Sequence, residues 1–260
     1  MKVIIKNLLK RLGFKIYRIG NERKDRERIV EMEGLYRELV FKDLPQFNEN
    51  RISLFLNLEG TNIGEAIYLV RYLHQSLKLD GDVCEFGVAA GRTSALLAQE
   101  IRDTDKNIWL FDSFKGLSRP TDRDKLKDDI YSLGRIQRYE GEMAFNVGAV
   151  KNALSRISIP EARIKIVAGF IATTIQRLDL PKKVCFAYVD FDFYEPILTA
   201  LNFLNNTLQK GGFVIVDDYD FFSTGAKTAV DEFLNAHRQT YKFSTPLKSA
   251  GYFCILEKII

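Results

Sequence analysis

From residue 82 onward the chain alternates short apolar runs with amphipathic stretches of helical period. Val83–Phe86, Ile108–Phe111, Ile164–Ala168, Val184–Val189 and Phe213–Val216 read as buried strands. Between them Arg92–Ile101, Gly148–Ser155, Ile197–Leu208 and Lys227–Ala236 read as helices, the third closed by Gly211-Gly212. Tyr241–Thr245 and Tyr252–Leu256 read as a closing pair of strands. This interleaving predicts an α/β fold, a doubly wound, mostly parallel seven-stranded sheet covered on both faces. Such sheets bind ligands beyond the carboxyl ends of their strands. The residues that follow each strand are therefore the place to look for function.

Residues 1–55 read as a basic, helical N-terminal extension to a domain of residues 56–260. Glu31–Leu39 and, more strongly, Asn62–Leu77 have helical spacing, with Asn62 as an N-cap, and the charge run Arg23–Arg28 is expected at the surface. Residues 1–30 hold ten Lys/Arg against three Asp/Glu, and the remaining 230 hold 28 against 31. The positive charge thus belongs to the N-terminus. An enzyme of nucleic acid carries it across the working face, so the pattern argues against that partner. Val3, Ile4, Ile5, Leu8, Leu9 and Leu12 alternate with Lys2, Lys6, Lys10 and Arg11. Residues 1–18 so fit either peripheral contact with a membrane surface or a helix packed on the domain. No apolar run approaches the ~20 residues of a membrane span, and the start lacks the apolar stretch of a secretion signal. Cys84, Cys185 and Cys254 are far apart and form no Cys-x-x-Cys, which fits a reducing, cytoplasmic compartment and disfavours a cysteine zinc site.

The first strand runs into Glu85-Phe86-Gly87-Val88-Ala89-Ala90-Gly91-Arg92-Thr93. Gly87 allows a sharp turn and close approach to the backbone. Gly91 stands where free N–H groups at a helix N-terminus meet a carboxylate. Glu85 can accept from an ammonium group. A ligand with both an amino group and a carboxylate fits, as does the methionine half of S-adenosylmethionine. The alternative is a plain strand–helix turn. A dinucleotide fingerprint is not met, because Ala89 stands at its second glycine, and no P-loop lysine follows. The second strand ends at Asp112, 21 residues after Gly91, where an acid can hold a ribose diol.

Downstream, one strand ends in Asp190-Phe191-Asp192-Phe193-Tyr194 and the next in Asp217-Asp218-Tyr219-Asp220. Parallel strands put both clusters at one sheet edge. Asp190 and Asp192 are two apart, so an extended chain points them to one face. Carboxylates gathered this closely resist ionisation unless a cation sits among them. Oxygen ligands alone suit a hard divalent ion such as Mg²⁺. The alternative is that they are caps and turn residues. Residues 115–146 interrupt the alternation and read as a lid-like or ligand-binding insertion, or else as a flexible surface loop. His74 and His237 read as surface or packing residues, and no Gly-x-Ser-x-Gly elbow is present.

These residues resemble the macrocin O-methyltransferase (TylF-type) family, which methylates sugar hydroxyls of macrolides and aminocoumarins. The resemblance rests on Gly81–Thr93, Leu110–Gly116, Val167–Thr174, Tyr188–Tyr194, Gly211–Tyr219 and Ala229–Phe233, and covers about residues 60–235. It implies a class I methyltransferase fold, with Glu85, Gly87, Val88, Gly91, Thr93, Asp112 and Ser113 around S-adenosylmethionine. It further implies Mg²⁺ at Asp190, Asp217 and Asp218, Asp192 as general base, and a homo-oligomer acting on a small-molecule or glycan acceptor. In the related catechol-type enzymes a lysine three residues after the first metal Asp is the base. Phe193 stands there in this chain, which disfavours a catechol. A competing reading is an aromatic hydroxyl acceptor, held in a slot built from Phe191, Phe193 and Tyr194. A binding module without activity is a third, and the intact acidic set speaks against it.

Overall fold

The computed structural model describes residues 22–260; the basic amphipathic stretch expected over residues 1–18 lies outside them. Among the described residues three helices precede the sheet: α1 (Glu22–Leu39), α2 (Glu49–Leu56) and α3 (Ile63–Ser76). The charge run at Arg23–Arg28 is mostly exposed, but it belongs to α1, which begins nine residues before the periodicity suggests. Asn48 and Asn62 cap α2 and α3, their side chains accepting from the N–H of Arg51 and Glu65. No helix of the described residues is long and apolar enough to cross a membrane.

The alternation follows as β1 (Asp82–Phe86), α4 (Arg92–Glu100), β2 (Ile108–Asp112), α5 (Val147–Leu154), β3 (Ile164–Ala168), α6 (Ile171–Thr174), β4 (Val184–Val189), α7 (Tyr194–Thr207), β5 (Leu208–Val216), α8 (Thr224–Ala236), β6 (Tyr241–Ser244) and β7 (Cys254–Lys258). The seven strands form one sheet in the order β3-β2-β1-β4-β5-β7-β6. All pairs are parallel except β5–β7 and β6–β7. Period-two alternation divides the side chains between two cores. Val83, Tyr188 and Ile215 face α1–α5, whereas Phe86, Val189 and Val216 face α6–α8.

Two boundaries differ from expectation for physical reasons. Gly211-Gly212 does not close the helix, because β5 already starts at Leu208 and the pair lies in a bulge, between the Val184–Leu208 and Phe186–Phe213 pairings. Gly211 takes φ 81°, and a Cβ on Gly212 would come within 2.7 Å of the Cys185 carbonyl. Helix α7 begins three residues early, at Tyr194, because its first N–H is capped in trans by Asp124 of the 115–146 insertion.

That insertion carries a small core of its own. Ile136 and Tyr139 pack with Phe193 and Phe222, and Asp129 collects the Tyr139 hydroxyl and the N–H groups of Leu133 and Gly134. A β-bridge, Leu126–Ser223, and backbone hydrogen bonds from Lys127 N–H to Phe222 O and from Thr224 N–H to Lys125 O tie it to the segment after β5.

The helical extension is fastened by one buried ion pair. Arg51 of α2 donates to Glu100 of α4 at 2.7 Å, and His74 of α3 reaches the same carboxyl at 2.6 Å. Burial alone would raise Glu100; the hydrogen bonds from Arg51 and His74 outweigh it and hold the carboxyl below its ordinary value. Its contribution is therefore present above the unfolded value and is lost as pH falls through the lowered one. Arg51→Met should cost about 3 kcal/mol at neutral pH by leaving the buried Glu100 carboxyl with His74 as its one remaining partner. In denaturant titrations the gap to wild type should shrink on acidification; a gap that holds constant down to pH 3 would contradict this account.

Candidate active site

The carboxyl ends of β1, β2, β4 and β5 are bound to one another beyond the strands. Gly87 N–H donates to Phe111 O at 2.9 Å, Asp190 N–H to Phe86 O at 2.7 Å and Asp217 N–H to Val189 O at 2.9 Å. Three acids that follow these strands, Asp112, Asp190 and Asp217, thereby reach one cleft of about 350 Å³. Gly87, Ser113, Asp192 and Asp218 line it too, as do Tyr131 of the insertion, Phe170 and Phe221.

Gly87 is required by space as well as by its φ of 89°, since a Cβ there would fall 1.8 Å from the Asp190 carbonyl oxygen. Asp112 braces the turn: its Oδ2 accepts from Val88 and Ala89 N–H at 2.8 and 3.1 Å, and its Oδ1 from Phe114 N–H at 2.6 Å. Asp112 thereby occupies two N–H groups of the turn, upstream of the helix N-terminus at Gly91 where a ligand carboxylate is expected. Gly91 packs against α5, where a Cβ would meet Val150. Thr93 is buried with its hydroxyl 3.1 Å from that of Thr61, and the Val88 side chain is in the core. The Ser113 hydroxyl closes a turn to Gly116 O at 2.7 Å.

Glu85 lies beneath the turn, with no solvent exposure. Ser94 donates to its Oε2, and its Oε1 has no partner. Burial pushes this carboxyl up to about 8, against the Ser94 hydrogen bond and with help from Asp112. Of the residues expected around a cofactor, then, Gly87, Asp112 and Ser113 line the cleft. Glu85, Val88, Gly91 and Thr93 stand behind it.

The acidic end is denser than expected. Burial, and next the charges of Asp217 and Asp218, push Asp190 well above the ordinary carboxylate range. Asp192 is driven up by burial and then by Asp190, and Asp218 reaches about 10 through burial and Asp217. Asp190 and Asp192 are not set by an extended chain. Asp192 adopts φ 61°, and the bend turns its carboxyl toward that of Asp218. Ser223 holds this strained residue by donating to its carbonyl at 2.9 Å.

A fifth acid, Glu65 on α3, was missed. The Tyr188 hydroxyl lies 3.0 Å from both Glu65 Oε1 and Asp217 Oδ2. A phenol has one proton, so one of these carboxyls carries another, consistent with burial and then Asp217 raising Glu65. Asn62-x-x-Glu65 has capping-box spacing, which conceals Glu65 as a helix-start residue. Of the aromatic residues expected to form a slot, only Phe191 lines the cleft. Phe193 is in the insertion's core and the Tyr194 hydroxyl is bound to Glu232.

Comparison with known proteins gives the constellation a family. The family model described as Macrocin-O-methyltransferase (TylF) matches residues 68–256. This chain belongs to the macrocin O-methyltransferase family. The 8-demethyl-8-(2,3-dimethoxy-alpha-L-rhamnosyl)-tetracenomycin-C 4'-O-methyltransferase of Streptomyces olivaceus is 27% identical over 64% of this chain and 61% of its own length. The mycinamicin III 3''-O-methyltransferase of Micromonospora griseorubida is 26% identical over 60% and 61%. The chain thus matches about three fifths of the length of these curated relatives. Among solved structures, the O-methyltransferase NovP superposes with a TM-score of 0.64, at 20% identity over 76% of this chain and 81% of that one. The calicheamicin methyltransferase CalS11 does so with 0.60, at 19% identity over 93% and 94%. Both share the methyltransferase fold.

Two substitutions test the turn. Gly87→Ala should cost about 1–3 kcal/mol for the left-handed backbone alone, add the clash with Asp190, and abolish binding of S-adenosylhomocysteine in calorimetry. Glu85 retains its proton in the folded protein above 4.5, where the unfolded chain gives it up. Ligand-free stability should therefore fall as pH rises from 4.5 towards 8. Glu85→Gln removes that slope, so its melting temperature should gain on wild type over this window. A pH-independent difference would show that Glu85 is already ionised.

Proposed function

We propose that the protein transfers a methyl group from S-adenosylmethionine to a hydroxyl of a sugar or glycosylated small molecule, assisted by a divalent cation. The observation that carries this is one sheet edge bearing two chemically different ends. One is a Gly87–Asp112 turn over an unpartnered Glu85 oxygen, and the other is a group of five carboxyls, Glu65 and Asp192 buried and Asp190, Asp217 and Asp218 half-buried. The printed names of the relatives, methyltransferases of a rhamnosyl tetracenomycin and of mycinamicin, point the same way.

The residues fit the cofactor. Asp112 has lone pairs left after its backbone bonds and faces the cleft, where it can accept from a ribose diol. The Glu85 oxygen without a donor suits the amino group. When bound, S-adenosylmethionine supplies an electrophilic methyl on a sulfonium.

The residues fit a hard cation in charge and in donor type. Among the described residues no Lys, Arg or His pairs with Glu65, Asp190, Asp192, Asp217 or Asp218. As they stand, no three His, Cys, Asp or Glu side chains of the described residues are arranged to hold a metal. Asp217 is turned aside by Tyr188 and by the Asp218 N–H. Asp190, Asp217 and Asp218 are the residues that would hold the ion, and it would lower the pKa of an acceptor hydroxyl.

This chain's remaining task is to position groups and to move one proton. Asp192, buried and bent toward Asp218, takes the hydroxyl proton as general base. The Ser223 bond fixes its backbone. Tyr131 and Phe170 line the cleft and exclude water over the reacting atoms, the insertion serving as the cover.

S-adenosylmethionine should bind the purified protein in calorimetry, and transfer to a panel of glycosides should proceed with Mg²⁺ and stop with EDTA. Asp192→Asn should lower kcat by roughly 10²–10⁴-fold with cofactor affinity retained. Transfer that is indifferent to EDTA would return Asp217 and Asp218 to structural roles. Failure to bind the cofactor would remove the reading as a whole.

A further inference from the structure

Beyond the acids the cleft opens into a second chamber of about 740 Å³. The two spaces share Gly60, Asp217, Asp218 and Phe221. Gly87, Asp112 and Ser113 belong to the cleft and not to the chamber. Asp190 and Asp192 line the cleft alone, so a molecule in the chamber abuts Asp217 and Asp218 where the two spaces meet, and a hydroxyl at that junction enters the cleft toward Asp192 and the cofactor turn. Its far wall is Ile29 and Met32 of α1 together with the 248–252 turn.

One surface in this chamber is unlike the rest. Phe221 and Tyr252 are stacked, with centroids 4.8 Å apart and planes 13° from parallel. Tyr252 is 60% exposed. Stacked on Phe221, the ring presents an apolar face to the chamber and a polar tip to water, and such a face can receive something apolar and flat. A pyranose has such a surface on its C–H face, while its hydroxyls project from the edge.

The platform is held in register with the acids at both ends. Phe221 N–H donates to Asp218 O at 3.1 Å, so the inner ring belongs to the same tight turn as two of the carboxylates. The outer ring follows Gly251, whose φ of 133° and 2.7 Å clearance between a built Cβ and Asn62 Nδ2 press the turn onto the cap of α3. That helix carries Glu65. A ring on this platform is fixed in distance from Asp217 and Asp218, and so in which of its hydroxyls reaches them.

We propose that this chamber is the acceptor site and that the Phe221–Tyr252 stack is the platform for a pyranose ring, with the hydroxyl edge turned to Asp217 and Asp218. The assignment deepens the methyl-transfer reading and rests on it. Tyr252 acts here as a specificity-determining contact, and its exposure means that its removal leaves the core intact.

Saturation-transfer NMR tests it on the protein loaded with S-adenosylhomocysteine, with methyl α-L-rhamnopyranoside and TDP-rhamnose as probes. Irradiating aromatic protons should transfer magnetisation to the C–H protons of at least one sugar. Tyr252→Ala should weaken binding of that sugar by roughly three- to tenfold, the range an aromatic stack carries. Tyr252→Trp should restore it, with affinity for S-adenosylhomocysteine equal in all three proteins. Absence of transfer in wild type, or an equal signal in Tyr252→Ala, overturns the platform. A methylation assay on the same samples separates the two ideas. Methylation with a KM untouched by Tyr252→Ala sinks the platform and keeps the enzyme. Sugar binding that depends on Tyr252 without any methylation sinks the enzyme reading and keeps the platform.

Discussion

The carbonyl oxygen of Asp190 occupies the space that a side chain at position 87 would need. This contact brings the turn after β1 and the turn after β4 within touching distance, and the rest of the site is built around it. It is possible because β1 lies between β2 and β4, with Phe86 paired to both Phe111 and Val189. Parallel strands in that register end together, so the first residue past each is delivered to one edge. Asp112 then clamps the β1 turn from the other side through two N–H groups. Glycine here is a matter of backbone packing first, and of ligand access through the room that packing leaves.

The same edge concentrates negative charge that nothing in the described chain neutralises. Burial raises every one of the five acids, and their mutual repulsion raises most of them further. The arrangement is unfavourable for folding by itself. It persists because strongly packed elements impose it: β4 is buried along its whole length, and α3 is buried on most of its surface. Strain is found in the same place, with left-handed backbone at Asp192, Asp218 and Asp220. A site that is costly in charge and in conformation would recover stability on binding the proposed cation.

Much of this was legible because strand ends are marked twice, by an apolar run and by the polar residue that stops it. Asp112, Asp190 and Asp217 stand directly at such stops, and the sheet order put them together as the alternation suggested. What escaped was written in longer-range contacts. Glu65 looks like half of a capping box, and only the position of Tyr188 across the sheet turns it toward Asp217. Gly211-Gly212 has the composition of a helix end, but the extra residues of β5 opposite Val184 make it a bulge. The bend at Asp192 depends on Ser223, 31 residues away, so local extension was the wrong assumption. Tyr194 looked exposed to the slot, whereas its hydroxyl is drawn to Glu232 on α8.

The cap that Asp124 places on α7 ties three separate parts of the chain into one lock. Its Oδ1 takes the Tyr194 N–H at 2.8 Å, its Oδ2 takes Thr121, and position 225 has no room for a Cβ because this carboxylate stands 1.9 Å from where one would be. Residues 115–146 are therefore not an interchangeable module. A chimera that imports this stretch from a relative inherits a dependence on positions 194 and 225, and a donor lacking the acid leaves the helix behind the catalytic turn uncapped. Stability in such chimeras will be inherited as a linked set, with the insertion, the start of α7 and the start of α8 exchanged together.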